Sequence, residues 1–326
     1  MGRTRRRVVS SLLTCSLVLA AAGPAGAALT DQDRGERAVG SIASQQKRNG
    51  SFPAFSAIGS TADAVLAFVA AGVGQRETRR ALAYLEAQVE AGNVDTEGLK
   101  AKVLLAWTTA GRGGRTIGGE NLARDLRAGW SDGLTHTVYD TALTVLALRS
   151  AGAMVPEPGI AFLLDEVCPD GGWSYDGFNE GEDDHCQGDP GTDFFASDTN
   201  TTALVVMALS ATAPTEAFDF FDAIRDDVRG GWGYTWGFET TDANSTALVL
   251  QAYASAGRRS PAGSLKAIRA LQYGRCGAFA FTWDGDVRTG PDLGATIGAV
   301  PGLLQLPMPF TGSVEGPAPD LPTCGG

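Results

Sequence analysis

Apolar and small residues fall along the chain in two kinds of segment that alternate. One kind, seen in DQDRGERAVGSIASQQ, ETRRALAYLEAQVEAG and TEAFDFFDAIRDDV, carries one apolar stripe opposite a charged face, and predicts helices with one side in solvent. The other comprises STADAVLAFVAAG, DTEGLKAKVLLAWTTAG, YDTALTVLALRSAG, SDTNTTALVVMALSATA, TDANSTALVLQAYASAG and PDLGATIGAVPGLLQL. These six are apolar or small almost all round, Lys100 and Lys102 apart, and predict helices buried on most faces. Ser60/Thr61, Asp95, Asp140, Asp198, Asp242 and Asp292 stand at their starts, where a side-chain oxygen accepts from free backbone N–H groups. Gly72, Gly111, Gly152 and Gly257 supply stops.

The stops reveal a repeat. Gly72 to Gly111 is 39 residues and Gly111 to Gly152 is 41, while Gly152 to Gly257 is 105, room for two units divided near Ala213 with an insertion in one. A last unit begins near Pro261, giving six outer and six inner helices. Closing such pairs into two concentric rings removes the exposed ends that an open solenoid has to cap, so the predicted fold is an all-α, α6/α6 toroid spanning 28–310, with a tail at 311–326.

Ahead of the repeats, MGRTRRR is a basic stretch, VVSSLLTCSLVLAAA an apolar run, and Ala25-Gly26-Ala27 a small-residue cleavage site, so residues 1–27 read as an export signal. The run is shorter than the ~20 residues of a spanning helix. Thr4-Arg5-Arg6-Arg7-Val8-Val9 also fits a twin-arginine signal, which leaves the export route open. The expected mature protein is secreted, has no membrane span, and carries 22 basic against 37 acidic residues, a balance that argues against nucleic acid as a partner. Its four cysteines, Cys168, Cys186, Cys276 and Cys324, read as two disulfides in an oxidising compartment. Three pairings are possible; Cys168–Cys186 closes a short loop, and Cys276–Cys324 then ties the tail to the last repeat.

Aromatic blocks mark the turns between paired helices: NGSFPAF, AGWSDGL, GGWSYDGF, GGWGYTWGF and CGAFAFTWDGD. Gln46, Gly50 and Phe52 form Q-x3-G-x-F, and Gln272, Gly277 and Phe279 a version one residue longer. In these blocks the chain resembles the prenyltransferase and squalene-cyclase repeat family, over roughly 31–310. The resemblance implies an α/α-toroid, and ATIGAVPGLLQLPMP is similar to the last helix of bacterial secreted toroids like the helical domain of cobalamin carriers. It implies a small, partly apolar ligand at the ring mouth, a corrinoid or an isoprenoid. The Asp-x-Asp-Asp acid motif of the cyclases is absent; of the Asp, Cys and His that hold zinc in the protein prenyltransferases, only His136 and His185 are on offer as histidines, no Asp-x-Cys element matches, and the cysteines are expected in disulfides. Whether the chain is an enzyme therefore stays open.

Asp198, in SDTNTTA, is the best single acid candidate, with a helix-cap role as its rival. Trp173, Trp232 and Trp283 are expected to wedge between units. His136, Tyr139, Asp140, Tyr175, Asp198, Tyr234, Trp236 and Asp242 are the expected ligand-binding residues around one mouth. The fourth unit carries an insert 15 residues longer than its counterpart, rich in carboxylates, where Glu182, Asp183 and Asp184 could hold calcium or simply form a solvated acidic lid. Two other functions remain in view: a terpenoid-cyclase-like or polysaccharide-processing enzyme using the helix-start aspartates, and a structural or adhesion ring.

Overall fold

A computed structural model of the chain describes residues 29–113, 116–130, 136–176 and 197–324. Among the described residues twelve α-helices follow one another in pairs. The first member of each pair is α1 (Asp31–Ala43), α3 (Gln75–Glu90), α5 (Leu122–Gly129), α7 (Glu157–Asp165), α9 (Glu216–Ala223) and α11 (Ser264–Leu271). The second members are α2 (Ala57–Ala71), α4 (Glu97–Thr109), α6 (Val138–Ser150), α8 (Thr199–Leu209), α10 (Ala243–Ser255) and α12 (Leu293–Leu303). Each second helix packs on the second helices before and after it, and α12 returns to α2, so these six form a closed inner ring. The first helices lie outside it. The predicted α6/α6 toroid is thus the fold, with its core in the inner ring.

The helix starts follow the predicted chemistry with a shift in register for half of them. Asp198, Asp242 and Asp292 are N-caps, each accepting from the backbone N–H three residues on. In α2, α4 and α6 the caps are instead Ser56, Thr96 and Thr137. Ser60 accepts from the Phe55 and Ser56 amides, and Asp140 sits in the first turn of α6, where a carboxylate meets the positive end of the helix dipole. The cap hydroxyl lies four residues before Ser60, one after Asp95 and three before Asp140, and a hydroxyl so placed competes well for the same free amides. The stops at Gly72, Gly111, Gly152 and Gly257 all have positive φ, between 58° and 73°.

One arrangement repeats at the turns. Phe52, Trp173, Trp232 and Phe279 are fully buried, and each donates its backbone N–H to a threonine near the start of the following inner helix, Thr61, Thr202, Thr246 or Thr296, at 2.9–3.0 Å. In the sixth unit the wedge is therefore Phe279. Trp283, expected in that role, lies in β4 (Trp283–Asp284), half-buried beneath the Arg229 guanidinium at 5.2 Å from its ring centre. The reason is local: β3 (Phe279–Ala280) pairs with β6 (Pro291–Asp292), and β4 with β5 (Val287–Arg288), so the longer turn lifts Trp283 off the core.

At two of the unit boundaries the join is made by the glutamine of the Q-x3-G-x-F element and of its longer version. Gln46 Nε2 donates to Gly50 O and, across the unit boundary, to Glu77 O of α3, both at 2.9 Å. Gln272 repeats this from the last unit to the first, reaching Gly277 O at 3.0 Å and Arg34 O of α1 at 2.9 Å. Arg269 adds a two-pronged ion pair with Asp31.

The tail closes the end of the ring where the inner helices stop. Met308 N donates to Ser255 Oγ, Gly312 N to Thr109 O, and Glu315 N to Gly72 O, so the strand passes beneath α10, α4 and α2 in turn. It ends at the Cys276–Cys324 disulfide, as expected. Cys168 is also disulfide-bonded, and its expected partner, Cys186, lies outside the described residues. Among the described residues no helix is long and apolar enough to cross a membrane.

Gly277 has φ +78°, and a Cβ there would collide with the backbone carbonyl of Arg37 in α1. Gly277→Ala should therefore cost about 3 kcal/mol or more, and Gln272→Ala about 1–3 kcal/mol, in urea unfolding. Gly290→Ala, which meets nothing within 4 Å, is the control and should be near neutral. Equal stability of all three would show that the ring does not depend on this seam.

Candidate functional site

The inner helices all begin at one end of the ring, and a cavity of about 300 Å³ runs inward from there. Every inner helix contributes to its wall. Near the mouth the wall carries Tyr139 of α6, Asn200 of α8 and Asn244 of α10. Tyr139, Asn200 and Asn244 occupy the same position, two residues after the N-cap of their helices. One turn deeper, Asp63 of α2 and Lys102 of α4 lie level with Leu143, Leu204, Leu248 and Ile297, and below them the wall is Leu66, Leu105 and Leu146 with Gln251. Met308 of the tail lies among the residues at the closed end.

Lys102 Nζ donates to Asp63 Oδ2 at 2.7 Å. Burial alone would depress this lysine, but Asp63, with Tyr139 and Asp140 behind it, holds its pKa above the ordinary value, so the ion pair persists at neutral pH. The Oδ1 atoms of Asn200 and Asn244 are buried without hydrogen-bond partners. No cation-ligating group of three or more His, Cys, Asp or Glu side chains occurs among the described residues, and Glu182, Asp183 and Asp184 lie outside them.

Around the mouth stands an aromatic collar. Among the described residues the exposed aromatic side chains are Phe55, Tyr175, Tyr234, Phe238 and Phe281, and all five belong to the turns that lead into inner helices. The turns are fixed from unit to unit: Tyr139 N donates to Tyr175 O, Thr199 N to Tyr234 O, and Ala243 N to Phe281 O. Tyr175 stacks on Tyr139 with ring centres 5.1 Å apart. Burial pushes the Tyr234 phenol up to about 12, with Asp198 and Tyr139 adding to the shift.

Of the residues expected at the mouth, Tyr139 lines the cavity, and Tyr175 and Tyr234 stand in the collar. His136 is turned into the protein between α4 and α6, stacked on Trp130 at 3.8 Å with Nδ1 2.7 Å from Glu97 Oε2. Asp140 lies against Gly98, and burial, reinforced by Glu97, raises its pKa. Trp236 donates from Nε1 to Asp170 at 3.1 Å and packs edge-on against Phe220. Asp198 and Asp242 are only 4% exposed and spend both oxygens on their caps: Asp198 accepts from Thr201 N and Oγ1, Asp242 from Ser245 N and Oγ. Asp63, Lys102, Asn200 and Asn244 are not among the expected site residues, and of these only Lys102 stands out in the sequence, as a charge within an apolar segment.

No protein-family model matches the sequence, and no curated protein is similar to it at the sequence level. Solved structures resemble it in fold. A protein from Actinoplanes is 17% identical over 85% of this chain and 99% of its own, with a TM-score of 0.52. An unsaturated glucuronyl hydrolase from a Bacillus species, described as responsible for the degradation of glycosaminoglycan, is 13% identical over 87% of this chain and 98% of its own, with a TM-score of 0.56. Haptocorrin in complex with Cbi is 14% identical over 87% and 70%, with a TM-score of 0.51. The fold is the α/α-toroid. At these identities the likeness extends to fold and no further.

Burial raises Asp198 and Asp242 to about 6, against the pull of their cap hydrogen bonds. The folded protein thus keeps protons that the unfolded chain, with carboxyls near 3.8, has already released, and stability falls as pH rises from about 4 to about 6. Asp198→Asn keeps a cap oxygen and removes the charge. It should melt at or above the parent protein at pH 7 and flatten the melting profile across that window, whereas Asp198→Ala should lose on the order of 1 kcal/mol. Coincident melting of the two variants would refute the cap role.

Proposed function

We propose that this toroid is a secreted binding protein that holds a small, partly apolar molecule in its central cavity. The observation that carries the reading is one cavity whose wall sets a few polar groups, Tyr139, Asn200, Asn244 and the Asp63–Lys102 pair, among mainly apolar side chains, closed beneath by the tail. A wall of this kind suits a molecule with a polar group and a hydrocarbon body, since both parts leave water for a matching surface. At about 300 Å³ the cavity stands at the small end of ligand sites and favours an isoprenoid-sized chain. A corrinoid, far larger, would rest across the aromatic collar, and haptocorrin, solved with Cbi on the same fold, supports that second placement. The best acid candidate, Asp198, is engaged as a helix cap, which favours binding over catalysis.

Native mass spectrometry of protein recovered from culture medium should show an added mass of one small molecule. Leu66→Phe combined with Leu248→Phe fills space that already exists, so the protein should stay folded and lose that mass. Retention of the ligand by the filled variant would place it elsewhere.

A further inference from the structure

We propose that the Asp63–Lys102 pair selects a ligand whose polar group is an uncharged hydroxyl, so that the molecule held in the cavity is a neutral alcohol on a hydrocarbon body. The inference rests on the binding function proposed above and adds the chemistry of the group that is recognised.

The pair stands where the ring has least use for charge. At the level one turn below the mouth, four of the inner helices present Leu143, Leu204, Leu248 and Ile297, and the other two present Asp63 and Lys102. Taking two charges out of water is costly, and apolar side chains of similar volume often hold such a place as well or better. Packing is therefore no reason for the pair.

Its hydrogen-bonding capacity is only partly used. Lys102 Nζ carries three protons and directs one to Asp63 Oδ2, at 2.7 Å. Neither side chain has another hydrogen-bond partner among the described residues, so the remaining N–H groups of Lys102 and the Oδ1 of Asp63 are unspent. Both side chains line the cavity and are reachable from it, with 37% of the Asp63 side chain and 21% of the Lys102 side chain exposed. The Tyr139 hydroxyl, on the next inner helix, feels the charge of both and is also without a partner among the described residues.

A hydroxyl matches this pair without disturbing it. Its oxygen accepts from Lys102 and its proton goes to Asp63, so both charges gain a hydrogen bond and no new charge leaves water. An ammonium would meet Lys102 as it approached Asp63, and a carboxylate would meet Asp63 as it approached Lys102. Either ion would also lose its hydration among the aliphatic side chains at the same level. An ether can accept from Lys102 but has no proton for Asp63. Tyr139, able to donate or accept, can serve the second lone pair of the ligand oxygen.

The test is calorimetry, with the full chain titrated at pH 7 into decanol, its isomer nonyl methyl ether, decylamine and decanoate. Decanol should bind roughly tenfold or more tightly than each of the other three, the worth of one hydrogen bond to a charged group. Asp63→Leu together with Lys102→Met removes both charges at once, so the ring should still fold, and decanol and the ether should then bind alike. If the ether or either ion binds the parent protein as tightly as decanol, or if the folded double variant keeps the preference, the hydroxyl assignment is overturned while the cavity remains a binding site. If none of the four binds, the binding function fails and this assignment with it.

Discussion

The structure depends on a side-chain amide that reaches from one repeat to the next. Gln272 ties the last unit to the first, using the geometry by which Gln46 ties the first to the second. Arginines mirror them from the other side: Arg80 of α3 donates to Lys47 O and Arg48 O, and Arg37 of α1 to Gly274 O and Arg275 O. In the fifth unit Arg225 takes over, bonding Gly230 O and, across the boundary, Ala262 O. Because the closing step repeats an internal step, six units complete the circle, with the Arg269–Asp31 ion pair added at the seam. A closed circle lets the inner helices be apolar on nearly every face, since no end of the stack is left in water.

Closure also decides where a ligand can go. With helix starts gathered at one end and the tail strapped across the other, the inner ring becomes a pocket with one entrance. The Cys276–Cys324 link anchors that strap to the turn bearing Gly277, the residue that packs on α1. Floor and seam are therefore joined covalently, and the apolar depth of the cavity is shielded by the same segment that completes the fold.

The architecture was legible because it rests on local rules: one-sided against all-round apolar helices, glycine stops, and a glutamine at fixed distance from glycine and an aromatic. The misplacements were local as well. Trp283 was read as a wedge by residue type, whereas the backbone position held by Trp173 and Trp232 falls to Phe279, the residue that pairs with the cap aspartate and a threonine. The site was harder to read, because a cavity is assembled from one side chain per helix drawn from segments some forty residues apart. Asp63 and Lys102 meet across 39 positions, and nothing in either segment announces the other. Asn200 and Asn244 sit two places after their caps, where the eye stops at the aspartate. His136 and Trp236, prominent by rarity and aromatic character, are engaged with Glu97 and Asp170.

The central claim is that the interior of the inner ring is the ligand site. The most direct measurement is photolabelling of the intact protein with a decanol that carries a diazirine near the end of its tail, followed by peptide mapping. Adducts should fall on inner-helix peptides around Leu143, Leu204 and Leu248, or on Met308 of the floor, and unlabelled decanol should suppress them. Labelling confined to outer helices α1, α3 or α9, or unaffected by the competitor, would contradict the account.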